Sequence, residues 1–139
     1  ELNISNTSVF DVGTGTGVLA IAAKKMGATS VYGVDIEDWC VENAKENASK
    51  NGIFDISFST DTIDSVATNF DVLLANINRN VLLDHLPKYA RLLNKNGILL
   101  LSGFHIKDVE VLIDLARKNG LQFEGNSEKA GWVCLKFII

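Results

Sequence analysis

Three glycines at a spacing of two, Gly13, Gly15 and Gly17, stand in the run FDVGTGTGVLAIAA at residues 10–23. A glycine turn lets a ligand approach the backbone closely, because no Cβ intervenes. The spacing decides which ligands fit. A dinucleotide fingerprint reads G-x-G-x-x-G, and here it is G-x-G-x-G. A Walker loop ends in Gly-Lys-Ser/Thr, and position 18 is valine. Asp11 lies two residues before the first glycine. Its carboxylate would repel a pyrophosphate and attract, directly or through water, the cationic methionine end of a sulfonium cofactor. A tight turn with no ligand would carry the same glycines.

Asp35 comes about 20 residues later, the spacing at which an acid accepts hydrogen bonds from both ribose hydroxyls. That contact suits any adenosine cofactor, and Asp35 could equally cap the next helix, as could Asp38. Asp61 is placed to meet an adenine amino group. Asn76 ends the apolar run FDVLLAN. Methyl transfer needs an in-line approach of the nucleophile more than acid–base machinery. An amide and backbone carbonyls can orient an amine. The amine must still lose a proton, which a free lysine holds up to a pKa of about 10.4 and a partly apolar pocket releases earlier. An Asx turn that only fixes the loop is the alternative for Asn76. The candidate set is therefore Asp11, Gly13, Thr14, Gly15, Gly17, Asp35, Ile36, Asp61 and Asn76 for S-adenosyl-L-methionine, with Asn76 also the candidate catalytic residue and no metal ligand. His85 reads as a surface helix residue, and His105 could line the site. Trp39 reads as packing near the adenine side, while Phe104 and Trp132 fit core or pocket rim alike.

These residues must be held by regular elements, and the hydrophobic pattern supplies them. Apolar, β-rich runs predict strands at 7–13, 30–35, 55–60, 70–77 and 98–104. Helical spacing predicts helices at 17–27, 37–52, 78–97 and 107–120, with Pro87 either kinking the third or starting a second segment. The tail from Leu121 reads as a hairpin. Continuous apolar strands imply burial on both faces. The pattern is a doubly wound α/β sheet, mostly parallel with an antiparallel last strand, in which ligands bind beyond the carboxyl ends of the strands.

The 139 residues suit one domain, with 47 % apolar residues and a net charge of −4. A pI of about 5.1 argues against a phosphate-backbone binder and leaves room for a basic protein partner. Cys40 and Cys134 lie far apart, outside any CxxC, and read as free thiols of a reducing cytoplasm. No run of about 18 apolar residues suggests a membrane span, and the opening residues carry no signal-peptide pattern.

The segments DVGTGTGVLAIAAKKMGA, VYGVDIEDWCVENAKENASKNG, FDVLLANINRNVLL and LLNKNGILLLSGF together resemble the S-adenosylmethionine-dependent methyltransferases of ribosomal protein L11, the PrmA family, in its Bacteroidetes-type form. The resemblance runs from about Ser8 to the C-terminal hairpin. It implies a seven-stranded Rossmann-like catalytic domain with the last strand antiparallel. It implies methylation of lysine side chains and an N-terminal amine of the ribosomal protein, with Gly13, Asp35 and Asn76 at the cofactor. The family also carries a small N-terminal substrate-binding domain and a threonine-rich segment before the first strand. The expectation is that residues 1–139 are the catalytic domain alone, with an incomplete cofactor pocket. Three rivals stand beside this reading. One is an N-methyltransferase for a nucleic-acid base or glutamine, which usually has an Asn/Asp-Pro-Pro-aromatic run where this chain has Asn76-Ile77-Asn78-Arg79. The others are an NAD-dependent oxidoreductase and an inactive cofactor-binding module.

Overall fold

The structure, a computed structural model, describes residues 2–139. Seven strands, β1 (Ser8–Val12), β2 (Ser30–Val34), β3 (Ile56–Ser59), β4 (Phe70–Asn76), β5 (Leu93–His105), β6 (Gln122–Lys129) and β7 (Trp132–Ile138), form one mixed sheet in the order β3-β2-β1-β4-β5-β7-β6. The chain divides into two compact units, the first reaching Val66 and the second running from Ala67 to Ile139.

The first unit is β1 (Ser8–Val12), α1 (Val18–Lys25), β2 (Ser30–Val34), α2 (Asp38–Lys50), β3 (Ile56–Ser59) and a single 3₁₀ turn at Ile63–Ser65. β1 pairs with β2 and β2 with β3, both in parallel. Val9, Phe10, Val12, Val31 and Val34 are buried, and so are Ala20, Ile21 and Ala23 of α1 and Val41, Ala44 and Ala48 of α2. Burial of consecutive strand residues is what the unbroken apolar runs predict for strands covered on both faces. The alanines keep the helix surfaces shallow, so backbone approaches backbone.

The second unit is β4 (Phe70–Asn76), α3 (Arg79–Arg91), β5 (Leu93–His105), a 3₁₀ turn at Ile106–Asp108, α4 (Val109–Lys118), β6 (Gln122–Lys129) and β7 (Trp132–Ile138). β4 and β5 are parallel, and β7 runs antiparallel to both β5 and β6. Leu82, Leu86, Tyr89 and Ala90 form the buried face of α3, and Leu112 and Ala116 that of α4. Asn78 caps α3, its side chain accepting from the Val81 amide at 3.2 Å.

The third helix differs from the sequence expectation at its end. Helical spacing continues to Leu93, but α3 stops at Arg91 and the next residues belong to β5. The Asn69 side chain takes up the Arg91 and Leu93 carbonyls, each at 3.1 Å, and Leu93 pairs with Phe70. The turn signal NKNG then lies inside β5 rather than before it. Asn96 adopts a left-handed conformation, and the β4–β5 register shifts between Phe70 and Val72. The chain thus enters β5 one turn signal early and absorbs the excess as an irregularity. Pro87 neither breaks α3 nor starts a new helix. It leaves the Leu83 carbonyl without its usual amide donor within one continuous helix. No helix of the described residues is long and apolar enough to cross a membrane.

Candidate functional site

The glycine loop joins β1 to α1 and is built around Asp11. The Asp11 side chain is only 1 % exposed. Its carboxylate accepts from the Thr14 hydroxyl at 2.7 Å and is faced by the backbone amide of Ala20, in the first turn of α1. Burial raises its pKa from 3.8 to about 6, against the lowering effect of those two donors. The sequence places Asp11 at the ligand's cationic end. In the structure the described hydrogen-bond donors to its carboxylate are Thr14 of the loop and the Ala20 amide of the helix, so any effect on a ligand is exerted through the loop and the local field. Thr14 is buried as well, and its amide donates to the Val34 carbonyl at 2.9 Å, tying the loop to the end of β2.

The glycines have different roles. A Cβ on Gly15 would meet nothing within 4 Å, so this side of the loop is open to a ligand. A Cβ on Gly17 would lie 2.9 Å from the Ala44 Cβ and 3.3 Å from the Phe58 ring. Gly17 also sits at φ +81° as the residue preceding α1, a conformation that favours glycine. Gly17 therefore serves the packing of α1 on α2, as the third glycine of a dinucleotide loop serves helix packing.

Asp35 follows β2 and reaches back to the loop. Its Oδ2 accepts from the Gly15 amide at 2.9 Å and its Oδ1 from the Glu37 amide at 3.1 Å. A carboxylate has about four acceptor positions, so both oxygens retain capacity for a pair of hydroxyls. Cys40, on α2, faces the same carboxylate. Burial and the Asp35 charge together push its thiol pKa up, which makes it an inert neighbour rather than a nucleophile. Ile36, 80 % exposed, presents an apolar side chain next to Asp35. Asp61 accepts from the hydroxyls of Tyr32 and Ser59, and these hydrogen bonds hold its pKa below the usual carboxylate range. The structure thus places Asp11 near the end of β1, and Gly13, Thr14, Gly15, Gly17, Asp35, Ile36 and Asp61 in the loops that follow β1, β2 and β3.

Asn76 belongs to the second unit, where it ends β4 opposite Ser102 of β5. It is exposed. A Cβ on Gly103 would lie 2.8 Å from the Asn76 Oδ1 and 2.7 Å from the Ile77 carbonyl oxygen. Gly103, at φ +92°, therefore lets the Asn76 side chain and the following backbone lie directly against β5. Arg79 pairs with Asp108 at 3.1 Å, tying the start of α3 to the turn after β5.

Several residues escape the sequence reading. Phe58 closes the loop from behind, since a Cβ on Gly33 would lie 2.8 Å from its ring. Asn47 of α2 donates to the Thr16 carbonyl at 2.9 Å and holds the loop from the other side. The signal for Phe58 and Gly103 was a glycine inside or at the end of a strand pattern, where a close backbone approach is expected. His85 is half-buried rather than on the surface, with its Nδ1 3.3 Å from the Tyr89 hydroxyl. Trp39 is 67 % exposed on α2 and does not pack as expected. Of the two aromatic residues left open, Phe104 is core and Trp132, 53 % exposed, lies at a rim.

The loop fits an adenosine cofactor: an open backbone at Gly15, a carboxylate oriented by two amides, and an exposed aliphatic side chain beside it. Comparison with known proteins agrees in kind. A family model described as ribosomal protein L11 methyltransferase (PrmA) matches residues 1–138. The chain is 41 % identical over 139 residues to the ribosomal protein L11 methyltransferase of Porphyromonas gingivalis, covering 99 % of this chain and 48 % of that protein. It superposes on the crystal structure of ribosomal protein L11 methylase from Lactobacillus delbrueckii subsp. bulgaricus with a TM-score of 0.93 and 36 % identity, over 96 % of this chain and 70 % of that one. The fold alone is shared with the magnesium protoporphyrin IX methyltransferase of Synechocystis PCC 6803, solved with bound S-adenosylmethionine, at a TM-score of 0.78 and 20 % identity, over 98 % of this chain and 71 % of that one. The chain spans about half the length of the curated relatives it matches.

Proposed function

This chain belongs to the ribosomal protein L11 methyltransferase (PrmA) family, and on that premise we propose that it is the catalytic part of an S-adenosylmethionine-dependent N-methyltransferase acting on lysine and N-terminal amines of ribosomal protein L11. The observation that carries this reading is the Asp35 carboxylate held by the Gly15 amide at 2.9 Å. It joins the carboxylate that would accept a diol to the open glycine of the loop, and a group fixed in this way costs less ordering on binding. When bound, the cofactor supplies an electrophilic methyl group on a sulfonium.

The chain's own residues do the rest. Asp35 binds the ribose hydroxyls, Ile36 covers one face of the base, and Asp61 receives its amino group. Asp11, through Thr14 and the start of α1, fixes the loop and adds negative potential at the methionine end. Asn76 orients the acceptor nitrogen through its amide oxygen without protonating it. The amine must react in its neutral form, which an apolar lining favours. A ribosomal substrate implies a cytoplasmic reaction, and the acidic balance of this chain suits a basic protein partner.

Two measurements test the reading. Calorimetric titration with S-adenosylhomocysteine is expected to give saturable heat. Incubation with radiolabelled cofactor and, separately, L11, a tRNA pool and a cell lysate is expected to label L11. Label on RNA alone would overturn the assignment.

A further inference from the structure

Asp61 is exposed, and a carboxylate in such a place ordinarily turns between rotamers. Here it is pinned. The hydroxyls of Tyr32 and Ser59 both donate to its Oδ2, Ser59 at 2.8 Å, and the two hydroxyls lie 2.8 Å from each other. The Asp61 amide in turn donates to the Ser59 Oγ at 3.2 Å, a turn in which a serine holds the backbone two residues on. Among the described residues both side-chain donors meet Oδ2 and none meets Oδ1. The two hydroxyls stand on rigid ground. Tyr32 lies in the middle of β2, between Phe10 of β1 and Ser57 of β3. Its ring stacks on the buried Phe10, with centroids 5.4 Å apart and planes 13° apart. Side chains alternate along a strand, so Ser59, two residues beyond Ser57, shares the Tyr32 face of the sheet. The Asp35 amide donates to the Ser59 carbonyl at 3.2 Å, which sets this cluster beside the carboxylate assigned to the ribose.

We propose that Tyr32 and Ser59 are positioning residues for base selectivity: by occupying Asp61 Oδ2 they aim Oδ1 as a fixed acceptor, which admits a 6-aminopurine and rejects a 6-oxopurine. The inference rests on the reading of Asp61 as the partner of the base amino group, and it adds what makes that partner discriminate. A 6-aminopurine offers an N–H at position 6. A 6-oxopurine presents a second acceptor there, facing a carboxylate that has no proton to give. The hydroxyl bonds, that of Tyr32 first, keep Asp61 in this form by holding its pKa below the usual carboxylate range. The 6-oxopurine does carry a donor one atom away, at N1. A carboxylate free to turn would swing to that N1–H, recover the lost bond and read the two bases almost alike. Discrimination therefore comes from the orientation of Asp61 rather than from its charge, and orientation is what the two hydroxyls supply. Burial, and then the bond to Asp61, raise the Tyr32 phenol pKa, so Tyr32 remains a donor at neutral pH.

The test is calorimetric titration of the 139-residue chain with S-adenosylhomocysteine and with S-inosylhomocysteine, which differ only at position 6 and N1 of the base. The parent is expected to prefer the adenosine ligand by about 30-fold. Tyr32→Phe keeps the ring on Phe10 and removes one hydroxyl. It is expected to cut the preference to about threefold, with the inosine ligand bound more tightly than by the parent. Ser59→Ala, which leaves the Tyr32 bond in place, is expected to cut it to about tenfold. The double variant is expected to abolish the preference, as Asp61→Ala does. A substitution that merely loosened the fold would weaken both ligands in proportion and leave their ratio at the parent's. An unchanged ratio in Tyr32→Phe and Ser59→Ala, with both ligands still bound, would overturn the proposal and leave the cofactor reading intact. So would the parent's ratio persisting in Asp61→Ala, which would take Asp61 away from the base. No heat from either ligand with the parent chain would overturn the cofactor reading and the proposal with it.

Discussion

Asp35 is the residue on which cofactor affinity is expected to depend most. It accepts from the Gly15 and Glu37 amides, so it orders the loop as well as presenting acceptors. Hydrogen bonds to a charged group are worth about 1.5–3 kcal/mol each. Asp35→Ala should therefore weaken S-adenosylhomocysteine binding by roughly two orders of magnitude in calorimetry, with Asp35→Asn in between. Equal affinities for all three proteins would remove Asp35 from the site. Its candidacy was legible from position alone, one residue after an apolar strand and about 20 after the glycine loop. The direction of the Asp11 carboxylate was not. Sequence places a charge near the glycines, but only the packing of α1 against β1 turns it inward onto Thr14 and the Ala20 amide.

Among the elements, α1 and α2 are set by one contact that tolerates no added atom. The Cβ of Gly17→Ala would stand 2.9 Å from the Ala44 Cβ, at a φ of +81° that costs a side chain about 1 kcal/mol by itself. Overpacking adds about 1–3 kcal/mol. We expect Gly17→Ala to lower the urea midpoint accordingly, and Ala44→Gly in the same chain to recover part of the packing loss but none of the backbone strain. Full recovery would mean that the strain is absent. The helix and strand types along the chain were readable from apolar periodicity. The α3–β5 boundary was not, because NKNG signals a turn wherever it falls. Only the pairing of Leu93 with Phe70 decides that it lies inside a strand.

At the scale of the whole molecule, Asp11 links folding to pH. A buried carboxyl held at about 6 rather than 3.8 carries on the order of 3 kcal/mol against ionisation. As pH rises, the unfolded chain releases this proton first, so stability should fall between about pH 4 and pH 6 and then level off. Glu46, Asp55 and Asp61 act in the opposite sense. Their pKa values are lowered by Lys50, Lys24 and Tyr32 respectively, so their contributions are lost as pH falls, but all three are exposed and weak. Asp11→Asn should flatten the decline seen in denaturant midpoints from about pH 4 to pH 7 and raise stability at pH 7. A variant with the parent's slope would mean that another group carries it. By itself, the sequence determined the order and type of the elements and the loops at their ends, because hydrophobic period and glycine chemistry are local properties of the chain. The tertiary structure alone decided that Asp11 is buried, that Phe58 stands behind the glycine loop, that Gly103 admits Asn76, and that His105 packs against Trp132. Each of these depends on strand register and helix packing between residues distant in the chain, where one step of register would exchange one face of the sheet for the other.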